Sequence, residues 1–336
     1  PMADDEKGST FEKMLQLNDL KKGQNPESLL NTTAIEEIAD KALRVNPQVT
    51  YPPFVSKSLD LILTTSNLRG INFKVDFTGD LQSAQILTNH GGFFRYKVKN
   101  EAFLPGIPKN EDELYFVLDL NDASNIQYLK DATLSTAAFP IGLKSREIAI
   151  SGEYIKRYPK YLFGTSKGIA PLIDEEVNYR FNSIDGGLIN NEPFGIGLKI
   201  LREKIPDVFK NENGNYAVVM IDPFPNVDNS PTPFEEKRDM LTVAKGMFKA
   251  LRNQVMFNQD VILDALSLSD RTKFLVAPSR KIKSQFGEER AQHPLASSPV
   301  SGFAGFLERS FREHDFRLGR KNCQAFLRYY FAVEER

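Results

Sequence analysis

The chain has 336 residues, 41% hydrophobic and 26% charged, which is typical of a globular protein with one large domain or two smaller ones. Its formal net charge of -1 gives no global attraction to nucleic acid, so we expect no nucleic-acid partner. One cysteine and three histidines exclude an intrachain disulfide and disfavour a metal site, so we expect no metal, no cofactor and a reducing, cytoplasmic location.

The N-terminal part of the chain changes character near residue 30. Residues 1–30 are polar without a sustained apolar pattern, and their opening proline before methionine is typical of a cloning or cleavage scar. The run TAIEEIADKAL (33–43) predicts a helix from its apolar spacing, and Thr33 with Glu36 has the spacing of a capping box. We therefore expect a flexible segment over residues 1–30 and a folded domain over residues 31–336.

Alternating or short apolar runs predict strands, and amphipathic runs between them predict helices. The strands are expected at 59–65, 71–77, 93–98, 177–184, 216–225 and 273–278, with turns at Gly70 and at Gly91–Gly92. The helices are expected at 33–43, 125–139, 193–205, 234 to about 266, and within 301–331. This alternation favours an α/β fold with a mixed sheet.

The stretch FNSIDGGLINNEPFGI (181–196) places an aspartate and two glycines directly after a predicted strand. Open α/β sheets gather ligands and catalytic groups at the carboxyl ends of their strands, where Asp185 is expected. Gly186 and Gly187 would let the backbone pass close to that carboxylate. An Asp-Gly pair is also the signal of a plain turn, so both interpretations stay open on these residues alone.

Two asparagines follow the glycines. Asn190 and Asn191 could shape a site around Asp185, but they also precede the helix that Pro193 can open. Capping of that helix is the simpler interpretation, because asparagine is a favoured cap.

Four segments carry a wider pattern in chain order. They are LILTTSNLRG (61–70), ATLSTAAFPIGL (132–143), DGGLINNEPF (185–194) and GFLERSFREHDFRLGRKNCQAFL (305–327). The third resembles the Asp-Gly-Gly motif of the patatin-like phospholipases, and the others are similar to segments of bacterial members of that family. The resemblance runs from about Ser28 to the C-terminus.

The resemblance implies a patatin-like three-layer α/β sandwich with a mixed, largely parallel central sheet and a helical C-terminal region. It implies a serine acyl hydrolase, a phospholipase or lipid esterase, that uses a Ser–Asp dyad without histidine. Asp185 matches the dyad aspartate and is expected to accept the serine proton as general base. The expected substrate is a phospholipid or another acyl-ester lipid, with peripheral contact to a membrane.

Two parts of the family pattern do not occur in these 336 residues: the glycine-rich oxyanion loop and the serine elbow that should precede Leu61. We therefore expect a sandwich that is incomplete at its N-terminal side. The nucleophile would lie on an N-terminal segment or on a separate chain, and this chain alone would be inactive. The alternative is a non-catalytic regulatory or interaction module derived from the same fold.

A third possibility is a self-contained hydrolase that uses Ser166 in GTSKG (164–168). A serine elbow needs a buried strand before it and a helix after it. The preceding IKRYPKYLF is charged and contains a proline, and Pro171 follows closely. A glycine-flanked surface loop is the simpler interpretation of this motif.

Other polar residues have a structural interpretation beside a functional one. Ser66, Asn67 and Arg69 would lie in a turn and Ser135 in a helix. His314 and Asp315 could suggest a catalytic triad, but we expect them to be solvated residues of the C-terminal helix. The basic Arg280, Lys281 and Lys283 could meet lipid phosphates, although a solvated loop is the simpler interpretation.

Overall fold

The computed structural model describes a defined part of the chain. The described residues are 4–5, 8–45, 51–56, 59–76, 84–98, 116–174, 178–189, 193–206, 216–222, 239–240, 242–243, 246–247, 273–284, 287–291, 293–298 and 304–331. The chain divides into two compact units. The sheet unit comprises residues 13–204 and 247–259, and the terminal unit comprises 1–12, 205–246 and 260–336.

The described elements follow the alternation that the sequence predicts. The strands are β1 (Asp4–Asp5), β2 (Gly8–Ser9), β3 (Asp60–Val75), β4 (Gln85–Val98), β5 (Phe116–Leu118), β6 (Arg146–Ser151), β7 (Ile169–Pro171), β8 (Asn178–Asp185), β9 (Val218–Ile221), β10 (Lys273–Val276), β11 (Lys281–Ser284) and β12 (Gly287–Arg290). The helices are α1 (Thr10–Met14), α2 (Thr33–Ala42), α3 (Ala123–Thr136), α4 (Gly152–Lys156), α5 (Tyr158–Leu162), α6 (Phe194–Lys204), α7 (Ala304–Leu307) and α8 (Arg309–Tyr329), with a 3-10 turn at Gly186–Leu188. The helix expected from 234 to about 266 lies mostly outside the described residues.

The main sheet of the sheet unit has the strand order β5-β4-β3-β8-β6, and β7 also pairs with β3. The β4–β5 pair is parallel, while β3 pairs antiparallel with β4, β7 and β8, and β6 pairs antiparallel with β8. The predicted α/β class and the mixed sheet are therefore confirmed. The described pairs of this sheet are mostly antiparallel, in contrast to the largely parallel sheet that the resemblance implies.

The turns predicted at Gly70 and at Gly91–Gly92 are wrong. These glycines lie inside β3 and β4, whose pairing shifts register between Ser66 and Ile71. Gly70 has a φ of +75°, and a Cβ there would lie 2.7 Å from Thr88 Cγ2. Glycine permits this irregularity, which bends a strand without ending it.

The N-terminal segment also differs from the expectation. Residues 13–30 belong to the sheet unit, where Met14 is buried and its carbonyl accepts a 2.8 Å hydrogen bond from the amide of Asn31. The capping box at Thr33 is wrong, because Thr33 is the first residue of α2 and its amide is bonded by Asn31 Oδ1 at 3.0 Å. The asparagine side chain thus satisfies the donor that the capping serine or threonine usually would.

Aromatic side chains fill the core between the sheet and the helices α4 and α5. Phe93 stacks on Tyr158 with ring centroids 5.4 Å apart, and Phe116 stacks on Tyr154 at 4.3 Å. Burial raises the pKa of Tyr154 and Tyr158 well above the ordinary value, and it raises that of Tyr128 to about 12. The phenols are therefore neutral at ordinary pH and compatible with an apolar core.

The buried guanidinium of Arg95 is the centre of a polar network that connects β3, β4, α5 and α6. The wholly buried side chain of Arg95, on β4, donates from Nε to Asp60 Oδ1 at 3.0 Å and from Nη1 to Glu203 Oε2 at 3.4 Å. Tyr161 donates to Glu203 at 3.1 Å, and Lys204 forms an ion pair with Asp60. Burial opposes the charge of Arg95, but the carboxylates of Asp60 and Glu203 outweigh it and raise the pKa.

The terminal unit contains the parallel pair β9–β10, the hairpin β11–β12 and the helix α8. Asn322 of α8 exchanges two hydrogen bonds with the backbone of Ser279, at 2.8 and 2.9 Å. The C-terminal helix predicted from the sequence is confirmed, and it is attached to the segment before the hairpin by these bonds.

His314 and Asp315 are not the solvated helix residues that we expected. Asp315 accepts hydrogen bonds from the amides of Ala296 and Ser297, from Ser297 Oγ at 2.6 Å and from His314 Nδ1 at 2.9 Å. Burial favours the neutral acid, but these bonds outweigh it and hold the pKa of Asp315 below its ordinary value. Because Ser297 is buried and both its amide and its hydroxyl donate to Asp315, the group anchors a loop to the helix.

The Arg95 network generates the first prediction. Asp60→Ala leaves a buried guanidinium without its closest counter-charge, so the free energy of unfolding should fall by about 3–5 kcal/mol. Glu147→Ala is the matched control, since Glu147 pairs with Arg180 at the surface, with side chains 55% and 70% exposed. That variant should lose less than about 1 kcal/mol. Urea unfolding measures both, and equal losses would contradict the role given to the network.

Candidate active site

Asp185 is the last residue of β8, at the carboxyl end predicted from the sequence. It pairs with Thr65 of β3, its amide donates to the carbonyl of Ala138 at 2.9 Å, and its carbonyl accepts from Ser66 Oγ at 2.8 Å. The backbone of this residue is therefore held both by β3 and by the segment that follows α3.

The carboxylate of Asp185 is half-buried and directed by the glycine turn. Its Oδ1 accepts a 2.8 Å hydrogen bond from the amide of Gly187. Among the described residues, nothing else donates to this carboxylate. One oxygen is thus oriented by the backbone, and the other remains able to accept a proton.

Gly186 lies against the backbone of the neighbouring strand. A Cβ at this position would stand 2.4 Å from the carbonyl carbon and oxygen of Thr64, which is closer than any real contact of a Cβ. Only glycine fits, so the first glycine of the motif is required by the approach of the turn to β3.

Three buried hydroxyls lie behind the aspartate. Thr65, Ser135 and Ser183 are 1%, 0% and 0% exposed, and they come from β3, α3 and β8. Thr65 Oγ1 is 3.0 Å from Ser135 Oγ, and Ser183 Oγ is hydrogen-bonded to both. Because each hydroxyl has partners, the cluster joins three elements without leaving a polar group unsatisfied. Its burial excludes Ser135 as an accessible nucleophile.

The residues around the bulge of β3 have structural partners. Asn67 Oδ1 accepts from the amides of Arg69 and Gly70 at 2.9 and 3.0 Å, and the guanidinium of Arg69 lies 4.5 Å from the ring centroid of Tyr179. His90 Nδ1 is 2.7 Å from the carbonyl oxygen of Asn67. These side chains stabilise the bulge, and Ser66 alone among the predicted turn residues contacts Asp185.

A strained turn stands next to the site, and sequence analysis missed it. Ile141 has a φ of 67° and is 73% exposed, although a β-branched residue is strongly disfavoured in this conformation. Its carbonyl accepts from the amide of Leu29 at 2.9 Å. Leu29, Phe139 and Ile141 are 75%, 39% and 73% exposed and form what we term the apolar rim.

Among the described residues, no hydrogen bond joins the side chain of Ser166 to Asp185. It lies in an exposed turn between Gly164 and Gly168, which have φ values of +79° and +73°. This turn leads into β7, whose Ile169 pairs with Val75 of β3, whereas Asp185 pairs with Thr65. The two pairing positions therefore lie on opposite sides of the register shift in β3.

The remaining predicted site residues are Asn190 and Asn191, which lie outside the described residues. The carbonyl of Pro193 accepts from the amide of Gly197 at 3.0 Å, as expected for a proline in the first turn of α6. Within the described ranges, no three His, Cys, Asp or Glu side chains are grouped so that they could hold a metal ion.

Gly186 generates the second prediction. Gly186→Ala forces a side chain into the backbone of β3 and should lower the free energy of unfolding by at least about 2 kcal/mol. Gly197→Ala in α6, where a Cβ meets nothing within 4 Å, is the matched control. It should raise that free energy by about 0.5–1 kcal/mol. Thermal melts measure the stability of both variants. A Gly186→Ala protein as stable as the wild type would show that the close approach to Thr64 is absent.

Ile141 generates the third prediction. Ile141→Gly relieves the left-handed strain, and after the entropy cost of glycine it should raise the free energy of unfolding by about 0.5–1 kcal/mol. Ile141→Ala removes the same exposed side chain but keeps its Cβ, so it should bring no gain. A chemical denaturation series compares the two, and equal stabilities would mean that residue 141 carries no backbone strain.

Comparison with known proteins yields one distant relative. No family model matches the chain, and no solved structure matches it. The chain is similar to the uncharacterized protein y4iI of Sinorhizobium fredii (strain NBRC 101917 / NGR234), with 29% identity over 351 aligned positions. The alignment covers 96% of this chain and 49% of that protein, so the chain spans about half the length of its relative.

Proposed function

We propose that this chain is the C-terminal part of a patatin-like serine acyl hydrolase in which Asp185 is the general base of a Ser–Asp dyad. The observation that carries the proposal is the carboxylate at the end of β8, oriented through one oxygen by the amide of Gly187. The Asp-Gly-Gly motif has a physical reason here, since Gly186 has no room for a side chain beside Thr64. A plain surface turn would not need that close approach.

The chemistry follows from the free carboxylate oxygen. The serine hydroxyl attacks the ester carbonyl while its proton passes to Asp185, and the departing alcohol then takes up this proton. Water then attacks the acyl-enzyme while its proton passes to Asp185, and the departing serine oxygen takes up this proton as the fatty acid is released. Backbone amides that hold the oxyanion would come from the glycine-rich loop of the family, outside these residues.

The edge of β3 offers a place for the missing part of the sandwich. Residues 60–63 of β3 pair with β4 on one side, and on the other side they pair with no strand among the described residues. Gly186 lies against Thr64 at the near end of this edge, and Asp185 follows opposite Thr65. We propose that the strand before the serine elbow pairs here, which would complete the three-layer sandwich and bring the serine to Asp185.

The proposed substrate is an acyl-ester lipid such as a phospholipid. The apolar rim of Leu29, Phe139 and Ile141 supports this class. Phe139 and Ile141 closely follow Ala138, whose carbonyl accepts a hydrogen bond from the amide of Asp185. Exposed apolar side chains near a site favour an acyl chain over a sugar or a charged metabolite.

A fluorophosphonate probe, which labels activated serines, tests the dyad. We expect no labelling of the 336-residue chain alone, and labelling of an upstream serine in a longer chain that includes the preceding segment. In that longer chain Asp185→Asn should slow labelling by about 100-fold or more, since a general base contributes at least this much. Asp131→Asn is the control, because Asp131 is bonded to Gln127 within α3, and it should leave the rate unchanged.

Each other result has a distinct meaning. An upstream serine that labels equally fast in Asp185→Asn would remove Asp185 from the mechanism. Labelling of Ser166 in the shorter chain, lost in Ser166→Ala, would establish a self-contained hydrolase. Silence of both chains would contradict the hydrolase and favour a non-catalytic module.

A further inference from the structure

The helix α8 of the terminal unit is mostly exposed along its 21 residues. Its inward face contains Leu318, the one buried residue of the helix, together with Asp315 and Asn322, whose side chains hold the loop at Ala296 and the segment at Ser279. The opposite face has no such contacts within the described ranges.

An apolar stripe runs along this opposite, outer face. Phe316, Leu327 and Tyr330 are 67%, 53% and 70% exposed, and Cys323 between them is exposed as well. The positions follow a spacing of 0, 7, 11 and 14 residues, which keeps them within one line on a helix of 3.6 residues per turn. Exposed aromatic and aliphatic residues in such a line are typical of a surface that binds something.

Unpaired cations lie on one side of the stripe, with Arg320 nearest to it and Arg328 and Lys321 further around the helix. The segment from Arg309 to Tyr329 contains six basic and two acidic residues, although the whole chain has a net charge of -1. Arg309 and Arg317 share Glu313 at 3.0 and 3.7 Å, and Asp315 faces inward. The basic residues without an ion pair in the described part of the chain are Arg320, Lys321 and Arg328.

We propose that the outer face of α8 binds the surface of an anionic lipid bilayer, with the helix lying in the plane of the interface. Phe316, Leu327 and Tyr330 enter the boundary between headgroups and acyl chains, and the three unpaired cations contact lipid phosphates. A second copy of the chain is a poorer occupant, because two such faces would bring their cations together. This binding requires no nucleophilic serine, so it is independent of the proposed hydrolase.

The absence of tryptophan from the chain gives the experiment a clean reporter. In Phe316→Trp the introduced indole should shift its emission to the blue with vesicles of phosphatidylglycerol and phosphatidylcholine, and the shift should weaken as salt rises. Pure phosphatidylcholine vesicles should give little or no shift. Phe54→Trp is the matched control, since Phe54 is 88% exposed in the sheet unit, and its emission should not change.

Charge and apolar contact are separated by further variants of the Phe316→Trp protein. Replacing Arg320, Lys321 and Arg328 by Gln should weaken vesicle affinity by about 100-fold, at about 1 kcal/mol for each basic residue. The same replacement of the exposed Lys21, Lys22 and Lys167 should leave the affinity unchanged. Leu327→Ala should weaken it by about tenfold through the lost apolar contact.

Three results would overturn the proposal. The first is an unshifted emission of Phe316→Trp with anionic vesicles. The second is equal weakening by the two sets of lysine and arginine replacements, which would indicate a nonspecific charge effect. The third is a blue shift without vesicles that grows with protein concentration, which would identify a second copy of the chain as the occupant.

Discussion

The shift of pairing register between β3 and β4 is the constraint on which the sheet unit depends. Because β3 continues through the shift, one strand pairs with a different neighbour before the shift and after it. β8 pairs with it at Thr65–Asn67, and β7 pairs with it at Phe73–Val75. A turn at Gly70 would have divided β3 into two short strands and separated the pairing of β7 from that of β8. The left-handed glycine therefore keeps both pairings on one strand.

The surroundings of Asp185 show how a strand end can fix the position of a carboxylate. The backbone is bonded to Ala138 and Ser66, and the buried hydroxyls of Thr65, Ser135 and Ser183 join β3, α3 and β8 behind it. A carboxylate on a flexible loop would lose conformational entropy whenever it was held in one orientation. Here the orientation is already determined by elements that fold for other reasons, which is the physical meaning of preorganisation.

Local patterns predicted those features whose causes are local. The alternation of Val177 to Ile184 predicted β8, and Asp185 at its end followed from that period. The glycine at residue 70 was misassigned, because a glycine in a bulge and a glycine in a turn have the same sequence signature. The hydroxyl cluster spans as many as 118 residues between Thr65 and Ser183, and no spacing rule connects such positions.

Two further features required coordinates for different reasons. The strain at Ile141 depends on the hydrogen bond that its carbonyl accepts from Leu29, a partner more than a hundred residues away. The helix α8 was predicted, but its inward face was not, because Asp315 and His314 look solvated until the loop at Ala296 is placed beside them. The sequence does not show which apolar residues of a helix face the core. The outer face can be assigned only after the contacts of the inner face are known.

The difference between the inner and outer faces of α8 changes how the charge of the chain should be understood. A net charge of -1 excludes a global electrostatic attraction, yet it says nothing of how the charges are distributed. In α8 both acidic residues have partners, since Asp315 accepts hydrogen bonds from the loop at Ala296 and Glu313 pairs with two arginines. Arg320, Lys321 and Arg328 have no ion pair in the described part of the chain and lie on the same helix as the exposed apolar stripe. A segment whose acidic side chains are already paired, while some basic side chains are not, has a local positive field. Such a field acts within a Debye length of about 8 Å, so it affects only groups that come close to the helix.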